Sequence, residues 1–164
     1  MELFEAGQQA IPVTILTGFL GAGKTTLLNR MLNGSHGLRV AVLVNDFGSI
    51  NIDTELIVGV EDNAISLANG CVCCQIRDDL VETIEEVIAR PEKPEYILLE
   101  ASGVADPSGI AMTFAIPTFR DRIRLDSIIS IVDTEQIFED ANNPYLTMLK
   151  LQQVGFSDMV ILNK

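Results

Sequence analysis

Residues 18–25 carry the most specific pattern in the chain, GFLGAGKT, which fits G-x-x-x-x-G-K-[ST] at every fixed position. Glycines in such a loop let successive backbone amides turn toward phosphate oxygens, and the N-terminus of the following helix adds partial positive charge. Lys24 would contact the β- and γ-phosphates, and the hydroxyl of Thr25 would bind Mg²⁺. The alternative is an ordinary glycine-rich turn. The pattern therefore predicts a phosphate-binding loop whose nucleotide contacts come from Gly18, Gly21, Ala22, Gly23, Lys24, Thr25 and Thr26.

Two carboxylates, those of Asp46 and Glu100, follow predicted strands and bear on the same site. Ligands of open α/β sheets lie beyond the carboxyl ends of the strands, so Asp46 could touch Mg²⁺ or its water shell. Glu100 would face the Mg²⁺ held by Thr25 or orient the attacking water, and we expect no other strand end to match it. Gly103 could bring its amide to the γ-phosphate without a Cβ in the way. The alternative is that Asp46 and Glu100 are ordinary solvent-facing acids at strand ends. We predict catalytic roles for Lys24, Glu100 and Gly103, and magnesium contacts for Thr25, Asp46 and Glu100.

The chain has three cysteines, Cys71, Cys73 and Cys74, within four positions. Thiolates are soft ligands that suit Zn²⁺, and C-x-x-C spacing lets one turn approach a metal from two sides. Two alternatives remain open: buried cysteines that pack as small hydrophobic residues, and a redox-active disulfide between Cys71 and Cys74. Three thiols are one ligand short of a closed tetrahedral zinc site. Water, an acid such as Asp46 or Glu55, or a client protein would supply the fourth.

These residues need a fold that brings strand ends together, and the pattern of elements predicts one. Short apolar runs alternate with segments of helical period over 164 residues, 48% of them apolar, which favours one α/β domain with a mostly parallel sheet. With the phosphate loop, this predicts the three-layer P-loop NTPase fold, its sheet flanked by helices. Strands are predicted at 13–16, 39–45, 96–99, 127–132 and 159–162, a hairpin at 56–68, and helices at 25–32, 77–89, 107–114, 134–138 and 144–154.

Composition excludes several classes of partner. The chain holds 11 basic and 23 acidic residues, a net charge of -12, which argues against a nucleic-acid partner bound by phosphate neutralisation. Its apolar runs are far shorter than the roughly 20 residues of a membrane span, and residues 1–10 do not resemble a signal peptide. Clustered cysteines give no disulfide framework, so we expect a cytoplasmic protein. The oligomeric state stays open, and a homo-oligomer is one option.

Together these motifs resemble the CobW-type P-loop GTPases, which are related to the nickel-insertion GTPases of urease and hydrogenase maturation. The resemblance covers essentially the whole chain. It implies binding of GTP and GDP, slow Mg²⁺-dependent hydrolysis, Zn²⁺ or Co²⁺ bound by the cysteines, and delivery of the metal to a client protein or to cobalamin synthesis. Many relatives have Glu in place of Asp46. The segments that carry the resemblance are the loop 17–26, VNDFG at 44–48, NGCVCC at 69–74, EASG at 100–103 with Asp106 and Pro107, and Asn163 with Lys164.

Asn163 and Lys164 open the Asn-Lys-x-Asp motif of that family, whose acid reads the guanine ring. The resemblance implies that residues 1–164 are an incomplete GTPase domain, to be followed by the rest of the base-binding loop and a smaller C-terminal domain. We then expect residues 1–164 alone to bind GTP weakly and to discriminate poorly against ATP. Other functions remain open: a P-loop ATPase or kinase with structural zinc, and a GTP-gated regulatory module with redox-active cysteines.

Overall fold

The computed structural model describes residues 10–34, 37–46, 64–68 and 73–164. These residues form an α/β unit with one sheet of six strands in the order β3-β2-β4-β1-β5-β6, and each adjacent pair runs parallel. The predicted fold class is confirmed. The strands are β1 (Ile11–Thr17), β2 (Val40–Asp46), β3 (Ala64–Ala68), β4 (Tyr96–Glu100), β5 (Ile123–Asp133) and β6 (Met159–Asn163), and the helices are α1 (Lys24–Leu32), α2 (Cys73–Ala89), α3 (Pro107–Thr113) and α4 (Pro144–Gly155), with a 3₁₀ turn at Pro117–Phe119.

Alternating side chains divide the core between the two faces of the sheet. On one face α2 and α3 place Ile84 and Ile110 in a cluster with Ile15 of β1. On the other face α1 packs Leu28 against Leu16, the next residue of the same strand. Because β1 is buried on both faces, its sequence is an almost continuous apolar run rather than an alternating one.

All six strands end at the same edge of the sheet, because parallel strands point one way. This edge gathers segments that are far apart in sequence. In spatial order it carries Ala68 at the end of β3, Asp46 at the end of β2, Glu100 at the end of β4, the phosphate loop after β1, Asp133 at the end of β5 and Asn163 at the end of β6.

The helix predicted at 134–138 is wrong, because these residues form turns. The backbone carbonyls of Gln136 and Ile137 accept hydrogen bonds from the ammonium of Lys150, at 2.9 and 3.4 Å. Short-range bonds such as Glu139 N–H to the carbonyl of Gln136 span three residues instead of four. A lysine from α4 thus takes carbonyls that an α-helix would have used, and this tertiary contact overrides local propensity.

The second half of the predicted hairpin is a strand, and β3 runs parallel to β2 with Ala68 beside Asp46. Its first half, 56–60, lies outside the described residues, so the hairpin stays a prediction. Across residues 10–34, 37–46, 64–68 and 73–164, no helix has the length and apolar character needed to cross a membrane.

Candidate functional site

The loop between β1 and α1 depends on glycine at three positions. Gly18, Gly21 and Gly23 have φ of 137°, 74° and 108°, conformations that side chains disfavour. A Cβ on Gly18 would lie 2.2 Å from the carbonyl oxygen of Ile131 in β5, closer than real Cβ atoms approach another heavy atom. The loop therefore packs directly on the neighbouring strand, and only glycine fits at its first position.

Lys24 begins α1 and extends over this loop. It is 8% exposed, and its ammonium lies 3.3 Å from the carbonyl oxygen of Phe19. The residue that caps α1 is Gly23, which has no side chain to accept hydrogen bonds from the first-turn amides. Those amides and the ammonium therefore converge on one concave loop, an arrangement that suits an anion with several oxygens.

Glu100 and Thr25 meet beside the loop, as the sequence predicts. The Thr25 hydroxyl donates a 2.8 Å hydrogen bond to Glu100 Oε1. Glu100 is buried at 3% exposure and lies next to Leu16 of β1, because β4 and β1 are paired there. A carboxylate and a hydroxyl are the hard oxygen ligands that Mg²⁺ prefers, so the donor set fits a magnesium ion.

The segment after β4 folds back onto the phosphate loop. The Ala101 amide donates to the Leu16 carbonyl at 2.9 Å, which continues the pairing with β1 beyond Glu100. A Cβ on Gly103 would lie 2.7 Å from the backbone nitrogen of Leu20 and 2.9 Å from its Cα. Gly103 therefore touches the backbone of the phosphate loop, and the space that a side chain would fill is taken by that backbone.

Asn163 and Lys164 reach the same loop from β6. Asn163 Nδ2 donates to the carbonyl of Ala22 at 2.9 Å, and Lys164 Nζ donates to the carbonyl of Gly21 at 2.7 Å. A Cβ on Gly23 would lie 2.6 Å from Asn163 Nδ2. Both predicted residues thus donate hydrogen bonds to backbone carbonyls of the phosphate loop.

Asp133, at the end of β5, is a third strand-end acid, after Asp46 and Glu100, and it was not among the predicted site residues. Its Oδ2 accepts a 3.0 Å hydrogen bond from Lys164, and its Oδ1 accepts from the amides of Glu135 and Gln136 at 3.1 and 3.3 Å. The Lys164 hydrogen bond, aided by the two amides, lowers the pKa of Asp133 below its ordinary value of 3.8. The signal was present, because Asp133 follows an apolar run just as Glu100 does; the expectation that no other strand end matches Glu100 was wrong.

Replacing Asp133 with asparagine should lower the free energy of unfolding at neutral pH. The asparagine side chain would keep an oxygen for the two amides but would lose the ionic contact with Lys164. Because the folded state lowers the pKa of Asp133, its contribution is present above pH 3.8 and is lost as the pH falls through the lowered value. Urea unfolding of both proteins from pH 7 to pH 2.5 should show a difference that shrinks only below about pH 4. A difference that stays constant across this range would contradict the assignment.

The remaining predicted metal ligands, Asp46 and the three cysteines, lie where the structure describes no side chains. It describes Asp46 by its backbone alone, at the end of β2, and Cys73 and Cys74 likewise, at the start of α2. Cys71 lies outside the described residues. Among described residues, no group of three or more His, Cys, Asp and Glu side chains could hold a metal. β3, the strand that precedes the cysteines in sequence, ends at the sheet edge that also carries the phosphate loop.

A family model described as CobW/HypB/UreG, nucleotide-binding domain, matches residues 12–164. Zinc-regulated GTPase metalloprotein activator 1 of Dictyostelium discoideum is 35% identical over 193 residues, covering 96% of this chain and 40% of that protein. The zinc chaperone CobW of a Sinorhizobium species is 35% identical over 189 residues, covering 100% and 53%. The chain thus spans about half the length of the curated relatives it matches.

Two solved structures are also similar to this chain. The Zn(II)-bound YjiA GTPase from E. coli superposes with a TM-score of 0.68 at 31% identity, covering 96% of this chain and 50% of that chain. The hydrogenase maturation factor HypB of Archaeoglobus fulgidus has a TM-score of 0.57 at 18% identity, covering 94% and 66% of the two chains. The second likeness concerns the fold alone.

Proposed function

Because the chain belongs to the CobW/HypB/UreG family of nucleotide-binding domains, we propose that it binds GTP, hydrolyses it with Mg²⁺, and couples this cycle to the delivery of zinc. The observation that carries the nucleotide part is the 2.8 Å hydrogen bond between Thr25 and Glu100 beside a glycine loop that holds Lys24. One site then contains a glycine loop to surround the phosphates, a cation in Lys24, and magnesium ligands in Thr25 and Glu100.

In this proposal the chain's own groups position the triphosphate. Amides of residues 21–26 surround the phosphate oxygens, and Lys24 moves from the Phe19 carbonyl to the β- and γ-phosphates. Thr25 and Glu100 hold Mg²⁺, which when bound neutralises charge that develops on the phosphates. Glu100, directly or through a water, also orients the attacking water. The amide of Gly103 contacts the γ-phosphate from the side where Gly103 touches Leu20.

Asp46 is proposed as an outer contact of the magnesium ion or its water shell. Its strand, β2, lies directly beside β4, which ends in Glu100. In the pairing of these strands Val44 is the partner of Glu100, and Asp46 lies two residues further along β2. With strands about 4.8 Å apart and a rise of about 3.3 Å per residue, this offset leaves room for a water between the two residues. We propose that Asn163 and Lys164 hold the loop on its base-binding side.

The cargo that we propose is Zn²⁺, bound by Cys71, Cys73 and Cys74. Three thiols in four residues give a soft donor set with one position open for water, for an acid or for the receiving protein. The names of the relatives, zinc chaperone and zinc-regulated GTPase metalloprotein activator, support zinc over cobalt and a metal-requiring client protein. An incompletely closed site favours transfer over storage.

The sheet offers a short path between the two sites. The cysteine segment follows β3, and β3 is separated from the Glu100 strand only by β2. We propose that the γ-phosphate orders the loops after β2 and β4 and brings the thiols together, and that hydrolysis releases them. Zinc affinity then depends on which nucleotide is bound.

The test is a zinc titration of the full-length protein with either a non-hydrolysable GTP analogue or GDP present. We expect the analogue to tighten zinc binding by about 5- to 150-fold, the range of ordinary allosteric coupling. A Cys71, Cys73 and Cys74 to Ser triple variant should lose both the tight binding and its dependence on nucleotide. Co²⁺, titrated in parallel, should bind the same thiols and show sulfur-to-metal absorption.

Lys24→Ala is the matched control, because it keeps all three thiols and removes a phosphate contact. It should bind zinc with the affinity of the GDP state whichever nucleotide is added. Equal zinc affinity with both nucleotides in the unaltered protein would exclude the coupling, since a ligand shifts an equilibrium only through differential binding. Unchanged zinc binding in the triple variant would exclude the thiolate site.

A further inference from the structure

The face that α4 turns inward is unusually polar. Its three buried residues are Leu149, Lys150 and Gln153, at 4%, 4% and 1% exposure. Polar side chains are rarely buried to this degree unless each polar atom finds a partner. Partners are present for both. The partners of Gln153 belong to the segment after β4, and the hydrogen-bond partners of Lys150 belong to the turns after β5.

Gln153 is bound to the segment after β4. Its Nε2 donates to the carbonyl of Gly103 at 3.0 Å and to the carbonyl of Ala105 at 3.2 Å, which uses both hydrogens of the amide. Val104, between these two carbonyls, is 38% exposed. One side chain thus fixes two peptide units of the loop that also touches Leu20 through Gly103.

Lys150, three residues earlier on the same helix, contacts the phosphate loop through the ring of Phe19. Its ammonium lies 4.5 Å from the centroid of the Phe19 ring and 2.8 Å from Asp140 Oδ2. A buried cation over an aromatic face is attracted to the ring. A small cavity of about 20 Å³ lies between α4, β5 and the phosphate loop, and Lys150 and Gln153 both line it.

The helix itself is firmly placed. Asn143 caps it by accepting hydrogen bonds from the amides of Tyr145 and Leu146, and Pro144 occupies its first turn. Residues 150 and 153 are three positions apart, so they lie on one face of the helix. α4 therefore connects the phosphate loop to the Gly103 loop through a rigid element.

We propose that Gln153 is a positioning residue for hydrolysis, holding the Gly103 loop at the place where its amide meets the γ-phosphate. This inference rests on the proposed function. Gln153 does not contact the nucleotide; it acts through the carbonyls of Gly103 and Ala105. If these hydrogen bonds are removed, the loop is free to leave the phosphate loop, while Lys24 and the glycine cradle remain in place.

The test compares Gln153→Met with unaltered protein. Methionine has a similar length and no hydrogen-bond donor, so it keeps the packing and removes both bonds. We expect the single-turnover rate of GTP hydrolysis to fall by about 10- to 100-fold, as misplacement of a catalytic group by about 1 Å does. The dissociation constant for fluorescent GDP should change by less than about threefold, because GDP has no γ-phosphate to lose.

Gln152→Met is the matched control, since Gln152 is the preceding glutamine on α4 and is only partly buried. Its hydrolysis rate should equal that of the unaltered protein. If Gln153→Met does not fold, Gln153→Asn, which keeps the amide on a shorter arm, should show the same separation of rate from GDP affinity. Hydrolysis by a folded Gln153 variant within twofold of the unaltered rate would overturn the inference. Absence of hydrolysis in the unaltered protein would instead overturn the proposed GTPase function.

Discussion

Replacing Lys24 with alanine is expected to lower kcat/KM for GTP by about 10²- to 10³-fold, the usual cost of losing a group aimed at charge in the transition state. The ammonium is 8% exposed and already lies over the phosphate loop, 3.3 Å from the Phe19 carbonyl. It therefore reaches the phosphates with little reorganisation. Hydrogen bonds to charged groups contribute about 1.5 to 3 kcal/mol, so GTP binding alone should weaken by about 10- to 100-fold.

Lys93→Ala is the control for net charge. Lys93 is exposed and precedes β4, at the opposite edge of the sheet from the phosphate loop. Its loss should leave GTP binding and hydrolysis unchanged, measured by isothermal titration and phosphate release. Equal effects of the two substitutions would mean that the Lys24 result reflects overall charge. An unchanged kcat/KM in Lys24→Ala would contradict the assignment of the loop.

Local pattern was sufficient to predict the loop between β1 and α1 and the strand end that meets it. The spacing of the glycines and of Lys24 in the motif predicts the shape of the loop. β1 and β4 are almost continuous apolar runs, which predicts two buried strands. Their pairing follows once the sheet is parallel, and it brings Glu100 to Thr25. From the sequence, Asn163 was expected only to bind the base. Its hydrogen bond to the Ala22 carbonyl of the phosphate loop is seen only in the structure.

Contacts between distant elements could not be predicted in this way. Gln153 and Lys150 occur in a helix whose pattern was correctly identified, yet a single sequence does not reveal which carbonyls a buried polar side chain will meet. The turns at 134–138 were missed for the same reason, since Lys150 takes their carbonyls. The only available signal was two polar residues on the inward face of the helix at 144–154.

Gly18→Ala should destabilise the fold more than any other single methyl added at a described glycine. The new Cβ would lie 2.2 Å from the carbonyl oxygen of Ile131, a backbone atom of a central strand that cannot move aside cheaply. A φ of 137° adds strain for any side chain. Backbone strain of about 1 to 3 kcal/mol and a similar overpacking cost together predict a loss of about 2 to 6 kcal/mol. For a chain of this size Tm should fall by roughly 10 °C.

Alanine substitutions at two further glycines distinguish the cost of backbone strain from the cost of steric overlap. Gly21→Ala has a φ of 74° but no atom within 4 Å of the new Cβ, so it should lose only about 1 kcal/mol. Gly109→Ala, inside α3 and also open, should match or slightly exceed the unaltered stability, because alanine favours helix by up to about 1 kcal/mol. Urea unfolding of the three variants measures the order directly. If Gly18→Ala unfolds no more easily than Gly21→Ala, contact with Ile131 does not restrict this position, and the glycine is required by the bound phosphate instead.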